Sequence, residues 1–133
     1  MKRIIITAAF FLYGNALFSQ AADSSDCLLY HRGKFSYTDS AGNLVIVDRK
    51  KKYQYEKNQV TNVKTQSRIK WISACSYELT LVSTNSKSLR KNKYSTTTTI
   101  ISKPLGEAGY EYTCNCKDPA VAKFTGLMKK IKK

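Results

Sequence analysis

The chain has one histidine, one tryptophan, two prolines, and nine acidic residues against 23 basic ones. Each shortage closes off a class of chemistry. With one histidine, any Ser-His-Asp, Cys-His or multi-His metal arrangement would have to run through His31 alone. Cys114-Asn115-Cys116 lacks a second cysteine pair at ligand spacing, so a zinc site is not expected. The scarce carboxylates Asp48, Glu56 and Glu78 fall on different strand-like runs, and nothing points to a glycosidase-type pair. There is no glycine-rich phosphate loop or dinucleotide fingerprint. These absences predict a non-enzymatic chain with no catalytic residues, no metal and no cofactor.

Long apolar runs are missing as well, except at the start. Lys2 and Arg3 precede a nearly unbroken apolar stretch from Ile4 to Phe18, and Ser19-Gln20-Ala21 then offers the small residues a signal peptidase needs. That stretch, interrupted by Gly14 and Asn15, falls short of the roughly 20 residues that span a bilayer. A signal peptide over 1–21 is expected, with export to the periplasm or exterior and no transmembrane segment in the mature chain. Ser24-Ser25-Asp26 before Cys27 does not suit a lipidated cysteine. Removing 21 of 133 residues leaves 112, enough for one domain over 22–133 around a single core.

Four cysteines in an exported chain are expected to form disulfides, because that environment is oxidising. Cys114 and Cys116 are two apart in a strand-like run and share a face, which argues against a bond between them. Cys27 with Cys75, or each of these with one of Cys114 and Cys116, remain equally open. Without Lys2 and Arg3 the formal charge of +14 falls by two to +12. A field of that strength favours anionic partners, although lysines also keep sheet edges from pairing with one another.

From Leu28 to Cys116 the chain is rich in Tyr, Thr, Val and Ile and is cut by polar turns, the pattern of antiparallel sheet. Leu28 to Tyr37 reads as a first strand with Leu29, His31, Gly33, Phe35 and Tyr37 on one face. Asp39-Ser40-Ala41-Gly42-Asn43 reads as a hairpin turn. Leu44 to Arg49 is apolar on both faces, as in a covered strand. Tyr53 to Lys57, a weaker run at Val60 to Thr65, and Ile69 to Ser73 follow, with Ile69 and Trp71 inward. Tyr77, Leu79 and Leu81 alternate with Glu78 and Thr80, the clearest half-buried strand of the chain. After a polar loop over 85–93, Tyr94 to Lys103 and Tyr110 to Cys116 complete the strands. Asp118-Pro119 reads as a helix start, and Val121, Phe124, Leu127, Met128 and Ile131 recur at helical spacing. An amphipathic C-terminal helix over 119–132 is expected. The fold class is mainly β: an antiparallel meander of seven or eight strands forming a curled sheet or small calycin-like barrel, with that helix packed against it.

The tyrosines on these strands lie next to Lys or Arg, as base-stacking residues do on sheets that hold single-stranded nucleic acid. Tyrosine is equally a favoured strand residue, and the structural role is preferred, which sets nucleic acid aside. Arg49, Gln54 and Glu56, with Trp71 and Tyr77, are costly to hold at a buried face unless they satisfy one another or a ligand. With His31 they form the candidate ligand-binding set.

Cys27, His31-Arg32-Gly33-Lys34-Phe35-Ser36-Tyr37, Val47-Asp48-Arg49 with Gln54 and Glu56, and Trp71-Ile72-Ser73-Ala74-Cys75-Ser76-Tyr77-Glu78-Leu79 resemble the corresponding stretches of small exported β-proteins from Bacteroidetes-type bacteria. The resemblance covers Cys27 to about Leu81, roughly half of the mature chain. Gly33-Lys34-Phe35 is also similar to the Gly-x-Trp that opens lipocalins and other calycins. That likeness implies a barrel that holds a ligand. The expectation is an exported binding protein for an apolar small molecule or an envelope component. An interaction protein that binds anionic polymers or a membrane surface is the alternative.

Overall fold

The computed structural model describes residues 24–116 and 124–133. The expected signal segment and the helix start at Asp118-Pro119 lie outside the described residues. A 3-10 helix over Ser24–Tyr30 leads into β1 (Gly33–Thr38), β2 (Leu44–Arg49), β3 (Tyr53–Asn58), β4 (Lys64–Ser73), β5 (Ser76–Thr84), β6 (Thr96–Pro104), β7 (Gly109–Cys114) and β8 (Phe124–Lys130). Short 3-10 turns occupy Arg90–Asn92 and Gly106–Ala108. Each strand pairs antiparallel with the next, and β8 pairs with β1, so the eight strands close an up-and-down barrel in sequence order.

The turns explain the meander. Asp39 Oδ1 accepts the backbone N–H groups of Ala41 and Asn43 at 2.9 and 2.8 Å, while Gly42 takes a φ of 82°, so β1 is reversed into β2 within five residues. Asn58 does the same after β3, its Oδ1 accepting from Val60 and Thr61 at 3.0 Å each. The expected weak strand at Val60 to Thr65 is therefore mostly this turn, and only its last residues enter β4.

Side-chain alternation then divides each strand between an inner and an outer wall. Phe35, Val45, Val47, Arg49, Gln54, Ile69, Tyr77, Ile101, Tyr110, Tyr112 and Met128 are buried within the barrel. The outer wall is mixed: Lys34 stands opposite Asp48 and Lys70 opposite Glu78 in register, while Leu44, Tyr55, Ile100 and Leu127 are exposed on it. β2 is buried on its inner face only. Leu44 is 45 % exposed and Ile46 half-buried, so this strand is not covered on both sides as its composition suggests.

Two larger corrections fall at the ends. Residues 28–30 belong to the 3-10 helix, not to the first strand, and the side chains that matter there are three apart: Cys27 and Tyr30 are both fully buried. The expected C-terminal helix is overturned over 124–130, which forms β8. Thr125 and Gly126 are weak helix formers, and without β8 the facing edges of β7 and β1 would stay unpaired. The register from Gly109↔Lys129 to Cys114↔Phe124 directs Phe124, Gly126 and Met128 inward. Gly126 leaves room for the inward Tyr112, whose ring would lie 2.5 Å from a Cβ at that position.

Both disulfides are closed. Cys27–Cys75 fastens the N-terminal 3-10 helix to the β4–β5 turn with Cα atoms 5.2 Å apart. Cys114 bonds to Cys116, contrary to expectation. β7 ends at Cys114, and the chain curls there, so the two Cα atoms are 5.2 Å apart where an extended strand would hold them about 6.6 Å apart. Two disulfides accord with an oxidising, exported environment. No helix among the described residues is long and apolar enough to cross a membrane.

Candidate functional site: a stoppered barrel with an open half

An eight-stranded barrel is just wide enough to be filled by side chains or to hold one small ligand. This one does each in a different half. At one end the 3-10 helix over Ser24–Tyr30 acts as a stopper: Tyr30 Oη donates to Gly106 O at 2.8 Å and accepts from Leu105 N at 3.2 Å. Beneath it lies Arg49, the last residue of β2, 1 % exposed. Its Nε donates to Gln54 Oε1 and one Nη to Tyr30 O, both at 2.8 Å. The other Nη donates to the hydroxyls of Tyr77 and Tyr110 at 3.1 and 3.0 Å. The guanidinium also lies over the Phe35 and Tyr77 rings at 4.9 and 4.6 Å from their centroids.

Among the described residues no carboxylate touches Arg49. Its charge is instead met through Gln54, whose Nε2 donates to Glu56 Oε1 at 2.7 Å, while Tyr37 Oη donates to Glu56 Oε2 at 2.8 Å. Among the described residues, no buried side-chain polar atom is left without a hydrogen-bond partner. Burial works against the Arg49 charge, but the Tyr77 and Tyr110 oxygens outweigh it and raise its pKa. Tyr110 is raised well above the usual phenol value, first by burial and then by Tyr77. Burial and the Glu56 charge raise Tyr37. Tyr112 is pushed up to about 12, chiefly by burial.

The other half is hollow. A cavity of about 350 Å3 runs from the level of Gln54 and Tyr77 to the end where the β1–β2 and β5–β6 loops lie, with Asp39, Leu89 and Asn92 at its rim. Tyr37, Gln54, Glu56, Thr65 and Ser67 line it from β1, β3 and β4; Leu79 and Leu81 of β5 and Phe124 and Met128 of β8 add apolar surface, with Thr97, Thr99 and Tyr112 of β6 and β7 between them.

Of the six sequence candidates, Gln54, Glu56 and Tyr77 line the cavity, whereas Arg49, Trp71 and His31 lie in the packed half. Trp71 is half-buried, tilted against Tyr77 at 4.8 Å between ring centroids, and His31 stacks on its outer side at 3.5 Å with Nε2 bonded to Ala74 O. His31 thus belongs to the stopper. Tyr37, Leu79, Leu81, Tyr112 and Met128 were not among the candidates, though inward alternation from Phe35, Tyr77 and Tyr110 carries a signal for the first four. No group of three His, Cys, Asp or Glu among the described residues could hold a metal.

Fold and site define a class: a small single-chain up-and-down β-barrel, stoppered at one end by its N-terminal segment and hollow at the other. Comparison of the chain with family models, with curated proteins and with solved structures gives no match.

Proposed function

We propose that this chain is an exported, non-enzymatic binding protein that holds a small molecule in the open half of its barrel. The observation that carries this reading is the division of the interior. The Arg49 network and the disulfide-fastened stopper fill one half, and a cavity lined by both apolar and polar side chains is left in the other. Its volume is near the lower end of the roughly 300–1,000 Å3 of small-molecule sites. The disulfides, the leader-like Ile4 to Phe18 stretch and the resemblance to small exported β-proteins of Bacteroidetes-type bacteria support export to the periplasm or exterior. Octanol titrated into protein with labelled Leu and Met methyl groups should shift Leu79, Leu81 and Met128 saturably while leaving the outward Leu127 in place. Equal, unsaturating shifts at all four would sink the reading.

A second reading rests on a different surface. An open groove of about 850 Å3 at the stoppered end is lined by Arg32, Lys34, Lys50, Lys130, Lys132 and Lys133, with Asp48 and Glu107 as its acidic groups. These cations suit an anionic polymer or envelope lipid. Such binding to heparin or anionic vesicles should fall steeply between about 50 and 200 mM salt through counterion release. Negligible binding at low salt would leave the lysines as edge protection.

A further inference from the structure

We infer that the cavity is built for an amphiphile with a cationic head, an alkyl or aryl ammonium, and not for a fatty acid. This rests on the barrel-cavity reading above. Although the chain is strongly basic, no Lys, Arg or His among the described residues lines the cavity; its charged lining residues there are Asp39 and Glu56. Asp39 is engaged in its own turn, with Oδ1 accepting from Ala41 and Asn43 and Oδ2 from Asn58. Glu56 differs. Each of its oxygens accepts one hydrogen bond, from Gln54 and from Tyr37, and a carboxylate has about four acceptor positions, so two remain for a donor in the cavity.

Arg49, which reaches Glu56 through Gln54, cannot serve as an anchor for an anion. Four of its five N–H donors are bonded to protein oxygens, and Gln54 and Tyr77 stand between it and the hollow. The surface lysines act over distances where about 0.1 M salt screens them within roughly 10 Å, whereas a head group at Glu56 would be in contact. Tyr37, Tyr77 and Tyr112 line the cavity beside that position, and tyrosine rings attract ammonium ions. Leu79, Leu81 and Met128 remain for the tail. A carboxylate placed there would meet Glu56 and find no unengaged cation among the described lining residues.

Octylammonium, octanol and octanoate share one tail and differ in the head, so calorimetric titration of the intact protein with each tests the inference. The expected order is octylammonium tightest, octanol about tenfold or more weaker, and octanoate weakest, because a charge-assisted hydrogen bond is about twice as strong as a neutral one. Non-specific attraction to the basic exterior would give the reverse order. Glu56→Gln keeps the side-chain shape and should bring octylammonium down to the level of octanol; near-ultraviolet circular dichroism checks that the variant is folded. Leu81→Trp, which narrows the cavity, should abolish all three. Octanoate binding as well as octylammonium, octanol binding best, or a Glu56→Gln protein that keeps the preference would each overturn the inference while leaving cavity binding intact. Absence of saturable binding by all three at millimolar concentration would instead remove the binding-protein reading on which it rests.

Discussion

Arg49 shows how one side chain can organise half of a barrel. A buried cation without a touching carboxylate persists because every neighbouring acceptor is aimed at it: the Gln54 amide oxygen, the Tyr30 carbonyl and two phenols. Removing it leaves those groups without their donor and the Glu56 charge without its relay. Arg49→Ala is expected to lower unfolding free energy by at least about 3 kcal/mol, since several buried acceptors lose their donor and each unsatisfied one costs about 1 to 3 kcal/mol. Arg49→Lys should recover less than half of that, since an ammonium cannot present the guanidinium fork. Urea unfolding monitored through Trp71 gives both numbers, and full recovery by lysine would mean that charge, not geometry, is what this position requires. The phenols add a pH dependence. Tyr112 titrates near 10 when unfolded and at about 12 when folded, and Tyr37 and Tyr110 are also raised. The folded state then binds more protons than the unfolded one above about pH 10, so this stabilisation is complete below about pH 10 and lost as pH rises towards 12. Equilibrium unfolding at intervals across that window should show a steady fall in stability, smaller in Tyr112→Phe.

At the scale of elements, β8 is where local pattern and long-range closure disagree. Helical spacing of Phe124, Leu127, Met128 and Ile131 is real, and so is strand alternation of Phe124, Gly126 and Met128; the barrel selects the second because β7 and β1 both need a partner. Gly126→Ala separates the two. In a helix it would stabilise by about 1 kcal/mol, whereas in β8 the new methyl meets the Tyr112 ring and should destabilise by about 1 to 3 kcal/mol. Thermal unfolding of that one variant decides the sign. β5 is legible in the sequence because the alternation of Tyr77, Leu79 and Leu81 with Glu78 and Thr80 is local, whereas the apolar composition of Leu44 to Arg49 marks a strand but hides that Val45, Val47 and Arg49 alone face inward. The cost of holding polar groups at a buried face singled out Arg49, Gln54 and Glu56 among the positions that carry the resemblance. It could not show which of them border a void, since that depends on what the opposite strands contribute. The stopper was misread because Leu28 and Leu29 look like strand residues, while the buried pair, Cys27 and Tyr30, follows a period of three.

At the scale of the whole molecule, the packed half is closed by its stopper, and the two disulfides contribute unequally to holding it. Cys27–Cys75 bridges a sequence separation of 48 and joins the stopper to the β4–β5 turn, so it constrains both the unfolded chain and the position of Tyr30 over Arg49. Loop-closure entropy for that span corresponds to about 4 kcal/mol. Cys114–Cys116 spans a separation of two and corresponds to about 1 kcal/mol by the same relation. The paired replacements Cys27→Ser with Cys75→Ser should therefore destabilise far more than Cys114→Ser with Cys116→Ser. They should also loosen the packed half first, exposing Trp71 to quenching by acrylamide before the barrel unfolds. The second pair lies at the cavity wall, so its removal should alter ligand binding more than stability. Guanidinium titrations of the two double variants, followed through Trp71 and through backbone circular dichroism, measure both effects. Equal destabilisation would mean that the stopper is held by the Tyr30, Leu105 and Gly106 hydrogen bonds and not by its covalent tie.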